Sequence, residues 1–252
     1  MWADKSPMIK RANDWLNFIN TNYPKLVQYT IDTTKIVDFD KTGLPEVANH
    51  YAGTNVSVVP ADSIDGLQYL NKYKKTGILN FADYYVPGGM FLKGSTAQEE
   101  FLCHNSTLYL ALCSKQDTFY TPHVQHCTTA LYRNDMLATD RCWVFDANRR
   151  MQCCSIITCA APYKTKVAME DLHLVDETLR VRIDHILRQF AVMQCEQLVL
   201  GAYGCGVFSN NPYFVADVFK NWIKNHNGVF EHVVFAIPKG SNYYVFMEVF
   251  KQ

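Results

Sequence analysis

Glu99 and Glu100 stand side by side where a carboxylate could move a proton next to a bound anion. The segment reads Pro87-Gly88-Gly89-Met90-Phe91-Leu92-Lys93-Gly94-Ser95-Thr96-Ala97-Gln98-Glu99-Glu100, a glycine turn running into the start of a helix. Unpaired N–H groups at a helix start, next to a glycine backbone that a ligand can approach closely, suit a phosphate or diphosphate. The two carboxylates then lie beside whatever that anion is attached to. Thr96, three residues before Glu99, also fits a capping box, in which Glu99 would only satisfy a backbone N–H. Adjacent helical side chains point roughly 100° apart, so one glutamate can cap while the other faces a cleft.

A second glycine loop, Gly201-Ala202-Tyr203-Gly204-Cys205-Gly206-Val207-Phe208, follows the apolar run Leu198-Val199-Leu200. Its Gly-x-x-Gly-x-Gly order is not the Gly-x-Gly-x-x-Gly of a dinucleotide fold, and no acidic residue ends a following strand to hold a ribose. Neither loop is followed by the Lys-Ser/Thr of a P-loop. His123-Val124-Gln125-His126-Cys127 could offer metal ligands, but no partner pair stands at structural-zinc spacing. Neither a metal nor another cofactor is therefore expected. Tyr84, Tyr85, Phe91 and Tyr203 flank the loops and are expected in the core or at the rim, where aromatic faces can stack on a base.

The elements that must position these loops follow from hydrophobic spacing. Strands are expected near 55–59, 77–82, 154–159, 197–202 and 230–237, and helices near 6–20, 61–73, 98–113, 168–195, 213–226 and 242–251. The first helix would be capped by Ser6, with Pro7 in its first turn. Residues 114–152 look least regular and could carry an irregular flap. Alternating strands and helices predict an α/β fold with a mixed, largely parallel sheet sandwiched between helices. In such a sheet two loops that each follow a strand can meet at one edge, outside the carboxyl ends of the strands. One diphosphate could then be held between them.

Leu79-Asn80-Phe81-Ala82, the Pro-Gly-Gly turn, Gln98-Glu99-Glu100, Leu102-Cys103 and Ser106-Thr107-Leu108-Tyr109 fall in a recognisable order. So do Thr158-Cys159-Ala160-Ala161-Pro162, the run 198–208, and Val233-Val234-Phe235-Ala236-Ile237-Pro238. With these residues the chain resembles the microbial type of poly(ADP-ribose) glycohydrolase, a macrodomain-family enzyme, from about residue 10 to the end. The resemblance implies one macrodomain-like domain over 1–252, with residues 1–50 as a helical extension packed on it. It implies a glycosidase that cleaves ribose–ribose bonds of poly(ADP-ribose) and releases ADP-ribose, with Glu100 as general acid and then base. Glu99 would orient the ribose, and Asn80 and Gln98 would line the site. Gly88 and Gly89 would touch the ribose and diphosphate side of the ligand. Gly201 would start the second loop, Gly204, Cys205, Gly206 and Val207 would wrap the diphosphate through backbone N–H groups, and Phe208 would pack on the terminal ribose. Asp62 resembles the acidic residue that many macrodomains place near adenine, although an Asp before Ser63 is also an ordinary N-cap. Met90 stands where the family has a third glycine. This departure leaves two alternatives: an ADP-ribose-binding macrodomain with little catalysis, or hydrolysis of mono-ADP-ribosyl linkages on protein, nucleic acid or a metabolite.

Composition bears on partners. Lys plus Arg equals Asp plus Glu at 24 each, so a polyanion must be gripped locally rather than by a broad basic surface. The expected partner is ADP-ribose or its polymer, free or attached to protein, and the expected state is a monomer. Nine cysteines without a paired pattern suggest buried thiols in a reducing compartment. No apolar run approaches a membrane span and the first residues lack a signal-peptide core, so a cytoplasmic location is expected, or a nuclear one in a eukaryotic host.

Overall fold

The computed structural model describes residues 4–251. In chain order the elements are α1 (Ser6–Asn22), α2 (Pro24–Asp32), β1 (Thr34–Val37), the short α3 (Phe39–Thr42), β2 (Asn55–Val59), β3 (Thr76–Phe81), α4 (Gln98–Cys103), α5 (Leu108–Cys113), α6 (Thr121–His126), β4 (Met136–Phe145), β5 (Met151–Cys159), α7 (Val175–Val192), β6 (Gln197–Leu200), α8 (Pro212–Asn225), β7 (His232–Ala236) and α9 (Ser241–Phe250). The strands form one sheet in the order β1-β4-β5-β3-β6-β7-β2. Pairing is parallel from β5 across to β2 and antiparallel on the β4 side. This is the mixed, largely parallel sheet between helices that the alternation predicts.

Side chains of a strand alternate between faces, so β3 feeds two cores. Ile78 packs on the side of Trp15 and Ile19 of α1, Leu102 of α4 and Leu108 of α5. Leu79 packs on the side of Leu179 and Ile183 of α7 and Val215 and Phe219 of α8. The central strands are buried on both faces, which is why they read as unbroken apolar runs. No helix among the described residues is long and apolar enough to cross a membrane.

Several elements differ from their expected form. The expected helix at 61–73 is a single 3₁₀ turn, Asp65–Tyr69. The Asp62 carboxylate takes the N–H groups of Ile64 and Asp65, and Gly66 lies so close to Ala236 that a Cβ would come within 2.8 Å. The expected helix at 98–113 breaks into α4 and α5. Residues 105–107 leave it to bond β4 beyond the end of β1, through Thr107 N–H to Trp143 O and Phe145 N–H to Asn105 O. The first part of 168–195 is a 3₁₀ turn ahead of α7. Residues 114–152 are more regular than expected: they contain α6 and β4, whose alternation is hidden by a bulge between Thr139 and Cys142. Residues before 50 are not only helical, because β1 pairs with β4 at the sheet edge. Ser6 does not cap α1; it donates through N–H and hydroxyl to Asp4.

Candidate active site

β3 pairs with β6 only over Thr76 to Ile78, and beyond that point the two strands part. Gln98, the first residue of α4, fills the gap. Its Nε2 donates to Leu79 O at 2.8 Å and its Oε1 accepts the Phe81 N–H at 2.8 Å, as a neighbouring strand would. Nε2 also reaches Ser63 Oγ at 3.0 Å. Gln98 therefore positions the helix, and its amide is fully engaged by protein.

The clamp sets Glu99 against the end of β3. Its Oε1 accepts from Asn80 Nδ2 at 3.0 Å and its Oε2 from the Asp83 N–H at 2.7 Å. The Thr96 capping box does not form; Ala97 occupies the N-cap position with no side-chain bond. Asn80 is buried, also donates to Thr158 Oγ1 at 3.2 Å, and holds Glu99 from below. Burial drives the Glu99 carboxyl well above its ordinary value, with the Asp83 N–H and Asn80 pulling it back and the charges of Asp83 and Glu100 adding to the rise. The folded state thus holds the Glu99 proton at pH values where the unfolded chain has released it. The sign follows: the unfolded state binds fewer protons, so stability falls as pH rises above the ordinary value of 4.5. A Glu99→Gln variant lacks this dependence but sets an NH₂ against one of two donors, costing about 1–3 kcal/mol. Urea unfolding of both proteins from pH 5 to 8 should show the stability gap between them narrowing as pH rises; a constant gap contradicts this account of Glu99.

Glu100 is buried and faces the first glycine turn. Its Oε1 accepts the Met90 N–H at 2.9 Å, and its Oε2 has no partner among the described residues. The turn needs two glycines. Gly88 and Gly89 have φ of 69° and 57°, a region costly for other residues. A Cβ on Gly89 would lie 2.7 Å from Glu100 Oε1, and one on Gly88 2.6 Å from the Tyr109 ring. Met90 is different: its φ is −97°, open to any residue, and its side chain is 43% exposed. The backbone asks for no glycine there, so methionine is accommodated without strain.

The second loop leaves β6, the strand next to β3, at the same edge of the sheet. Gly201 presses on the first unit, where a Cβ would come 2.9 Å from the Phe81 ring. Gly204 has φ of 70° and rests on Ala161 and Asn210. Within the loop, Tyr203 N–H bonds Gly201 O, Cys205 N–H bonds Ala202 O, and Ser209 and Asn210 bond back to Gly206 and Gly204. The N–H groups of Gly204, Gly206, Val207 and Phe208 have no partner among the described residues and are available to an anion. The Cys205 N–H is not, so of the four expected donors this one is taken; burial pushes its thiol up to about 12. Val207 is exposed, and Phe208 stacks on Tyr163 at 4.5 Å between ring centres.

Asp62 behaves as the N-cap alternative has it, with Oδ1 accepting two backbone N–H groups. Tyr203, Phe91 and Tyr84 are buried, and Tyr85 is half-buried at the rim. His123 is buried against Asp135 at 3.0 Å and stacks flat on Tyr84 at 3.9 Å, so it braces the first loop. Sequence reasoning missed Asp83, which bonds Glu99 through its N–H and accepts Tyr85 and Val86 N–H groups on Oδ1. An Asp ahead of a Pro-Gly turn is a signal for such a side-chain turn. Thr158 and Asn210 were missed as well.

Two glycine loops leave adjacent parallel strands of this macrodomain-like α/β fold, with a buried carboxylate against one and, among the described residues, unpaired N–H groups in the other. The family model described as the microbial-type PARG (poly(ADP-ribose) glycohydrolase) catalytic domain matches residues 19–147, a span that holds both glutamates and the first loop. The chain belongs to this family. It is similar to the crystal structure of poly(ADP-ribose) glycohydrolase from Thermomonospora curvata, with a TM-score of 0.87 and 25% identity over 97% of this chain and 100% of that one. It is also similar to the enzyme from Deinococcus radiodurans in complex with ADP-ribose, with a TM-score of 0.80 and 30% identity over 88% of this chain and 96% of that one. Curated protein sequences show no match.

Proposed function

We propose that this protein is a poly(ADP-ribose) glycohydrolase that binds the terminal ADP-ribose unit between its two loops and uses Glu100 as its proton-transfer group. The observation that carries the proposal is the Glu100 carboxyl, tied by one oxygen to the Met90 N–H across Gly89 and left with the other oxygen unengaged. Breaking a ribose–ribose bond passes through an oxocarbenium-like state, and the leaving oxygen needs a proton. Glu100 gives that proton from Oε2 and then, as carboxylate, takes one from the attacking water. Ordinary glycosidases set two carboxylates about 5–10 Å apart across the bond. Here Glu99 shares one helix with Glu100 and is held by Asn80 and Asp83, so one glutamate serves both steps and Glu99 orients the ribose. The unpaired N–H groups of Gly204, Gly206 and Val207 receive the diphosphate, and Phe208 covers the terminal ribose.

Met90 decides acceptor preference, since its exposed side chain is one residue from the closest approach to Glu100. Incubation of wild type and Met90→Gly with labelled poly(ADP-ribose) and with mono-ADP-ribosylated protein tests both points. Wild type should release free ADP-ribose from the polymer, and Met90→Gly should shift the ratio of the two rates with little change in ADP-ribose affinity. Binding of ADP-ribose without release from either substrate would make the protein a reader rather than a hydrolase.

A further inference from the structure

Arg182, on α7, has no accessible surface. Its Nη1 donates to Ala160 O at 2.8 Å, and its Nη2 to Leu131 O at 3.0 Å, Tyr132 O at 3.3 Å and Asn134 Oδ1 at 3.2 Å. Every acceptor is neutral. Among the described residues no carboxylate makes an ion pair with it, and nearby Asp135 is engaged by His123 at 3.0 Å and Arg133 at 3.5 Å. A guanidinium keeps its charge throughout the physiological range, and burying one without a counter-ion carries a heavy desolvation penalty. A clamp for four carbonyl-type acceptors does not by itself call for a charge.

The charge lies under the second loop. Ala160 and Ala161 follow β5, and a Cβ on Gly204 would touch the Ala161 Cβ at 2.5 Å. Asn210 Nδ2 ties Pro162 O at 2.9 Å to Gly204 O at 3.0 Å, so loop and floor are one piece. Tyr203 of the loop and Cys159 below it are both raised by burial, and in each the guanidinium pulls the other way, as a close cation would.

We infer that Arg182 is a specificity-determining residue: its buried charge is completed by the diphosphate of the ligand on the far side of the residue 204–208 backbone, which favours a diphosphate over neutral ligands. The inference rests on the reading of that loop as the diphosphate site. Interaction between unit charges across several ångströms of protein interior is strong enough that neutralising Arg182 should weaken ADP-ribose binding about tenfold or more.

Asn134→Asp tests this without removing the arginine. It places a carboxylate where Oδ1 now accepts from Nη2, and replaces the exposed bond from Asn134 Nδ2 to Asp40 by a solvent-screened repulsion between two carboxylates. Calorimetry should show ADP-ribose Kd rising about tenfold while thermal stability stays near wild type. Arg182→Lys, which keeps the charge, should bind at least several-fold more tightly than Arg182→Gln. Asn134→Asp with wild-type affinity, or equal losses in the Lys and Gln variants, makes Arg182 a structural clamp only and overturns the inference. If the Arg182 variants do not fold, Asn134→Asp decides alone. Wild-type protein that binds no ADP-ribose removes the diphosphate site itself and this inference with it, whereas tight wild-type binding with an unaffected Asn134→Asp removes only the inference.

Discussion

Replacing Glu100 with glutamine is expected to slow ADP-ribose release from poly(ADP-ribose) by at least about 10²–10⁴-fold while leaving ADP-ribose affinity within a few-fold of wild type. The separation of the two effects comes from the geometry. Glutamine has the same shape, and its carbonyl oxygen can still accept the Met90 N–H now bound to Oε1. The turn at Gly88 and Gly89 therefore has no reason to move, and the second loop, where the diphosphate is proposed to bind, is untouched. What is lost is a titratable oxygen at Oε2. Single-turnover release from labelled polymer, run beside calorimetry with ADP-ribose, reads the two quantities separately. Equal turnover by wild type and variant would remove Glu100 from the mechanism; parallel loss of binding and turnover would make it a structural support for the loop.

The second large effect is expected from Gly206→Glu, which should abolish detectable ADP-ribose binding without lowering the melting temperature. Nothing lies within 4 Å of a Cβ at Gly206, and its φ is outside the left-handed region, so the protein itself tolerates a side chain there. The ligand should not, because on the proposed reading the substitution places bulk and a negative charge where a diphosphate would meet the free N–H groups. Gly204→Ala is the contrasting control. Its Cβ would meet Ala161 at 2.5 Å and Asn210 at 2.6 Å from a backbone at φ +70°, so stability should fall along with binding, the left-handed conformation alone costing about 1–2 kcal/mol. Thermal melts and ADP-ribose titrations of both variants check this. Wild-type affinity in Gly206→Glu would place the diphosphate elsewhere.

The candidate site of this chain was legible where it is contiguous. Both loops, the glutamate pair and the strands that carry them are short runs whose spacing alone points to an anion beside a proton donor. The supports were not legible, because they depend on contacts between distant segments. Thr96 to Glu99 looked like a capping box, yet tertiary partners at Asn80 and Asp83 outcompete the local bond. Gln98 looked like a ligand contact, and only the divergence of β3 and β6 shows what its amide is for. β4 was hidden because the polar pair Asp140-Arg141 falls in a bulge and interrupts the alternation. Met90 looked like an intrusion until its φ showed that the backbone asks for no glycine there.

The Gln98 clamp also divides the site into parts of different stiffness. A helix whose first side chain substitutes for a strand cannot swing or slide without opening the middle of the sheet, where β3 is buried on both faces. The glutamates are thus tied directly to the central strand β3. At the rim the side chains of Val207 and Met90 are exposed, although the Met90 backbone is bonded to Glu100 and to the turn that follows it. On the proposed mechanism, adaptation to different acceptors would then fall to these rim side chains, with the substrate brought to a glutamate that stays in place.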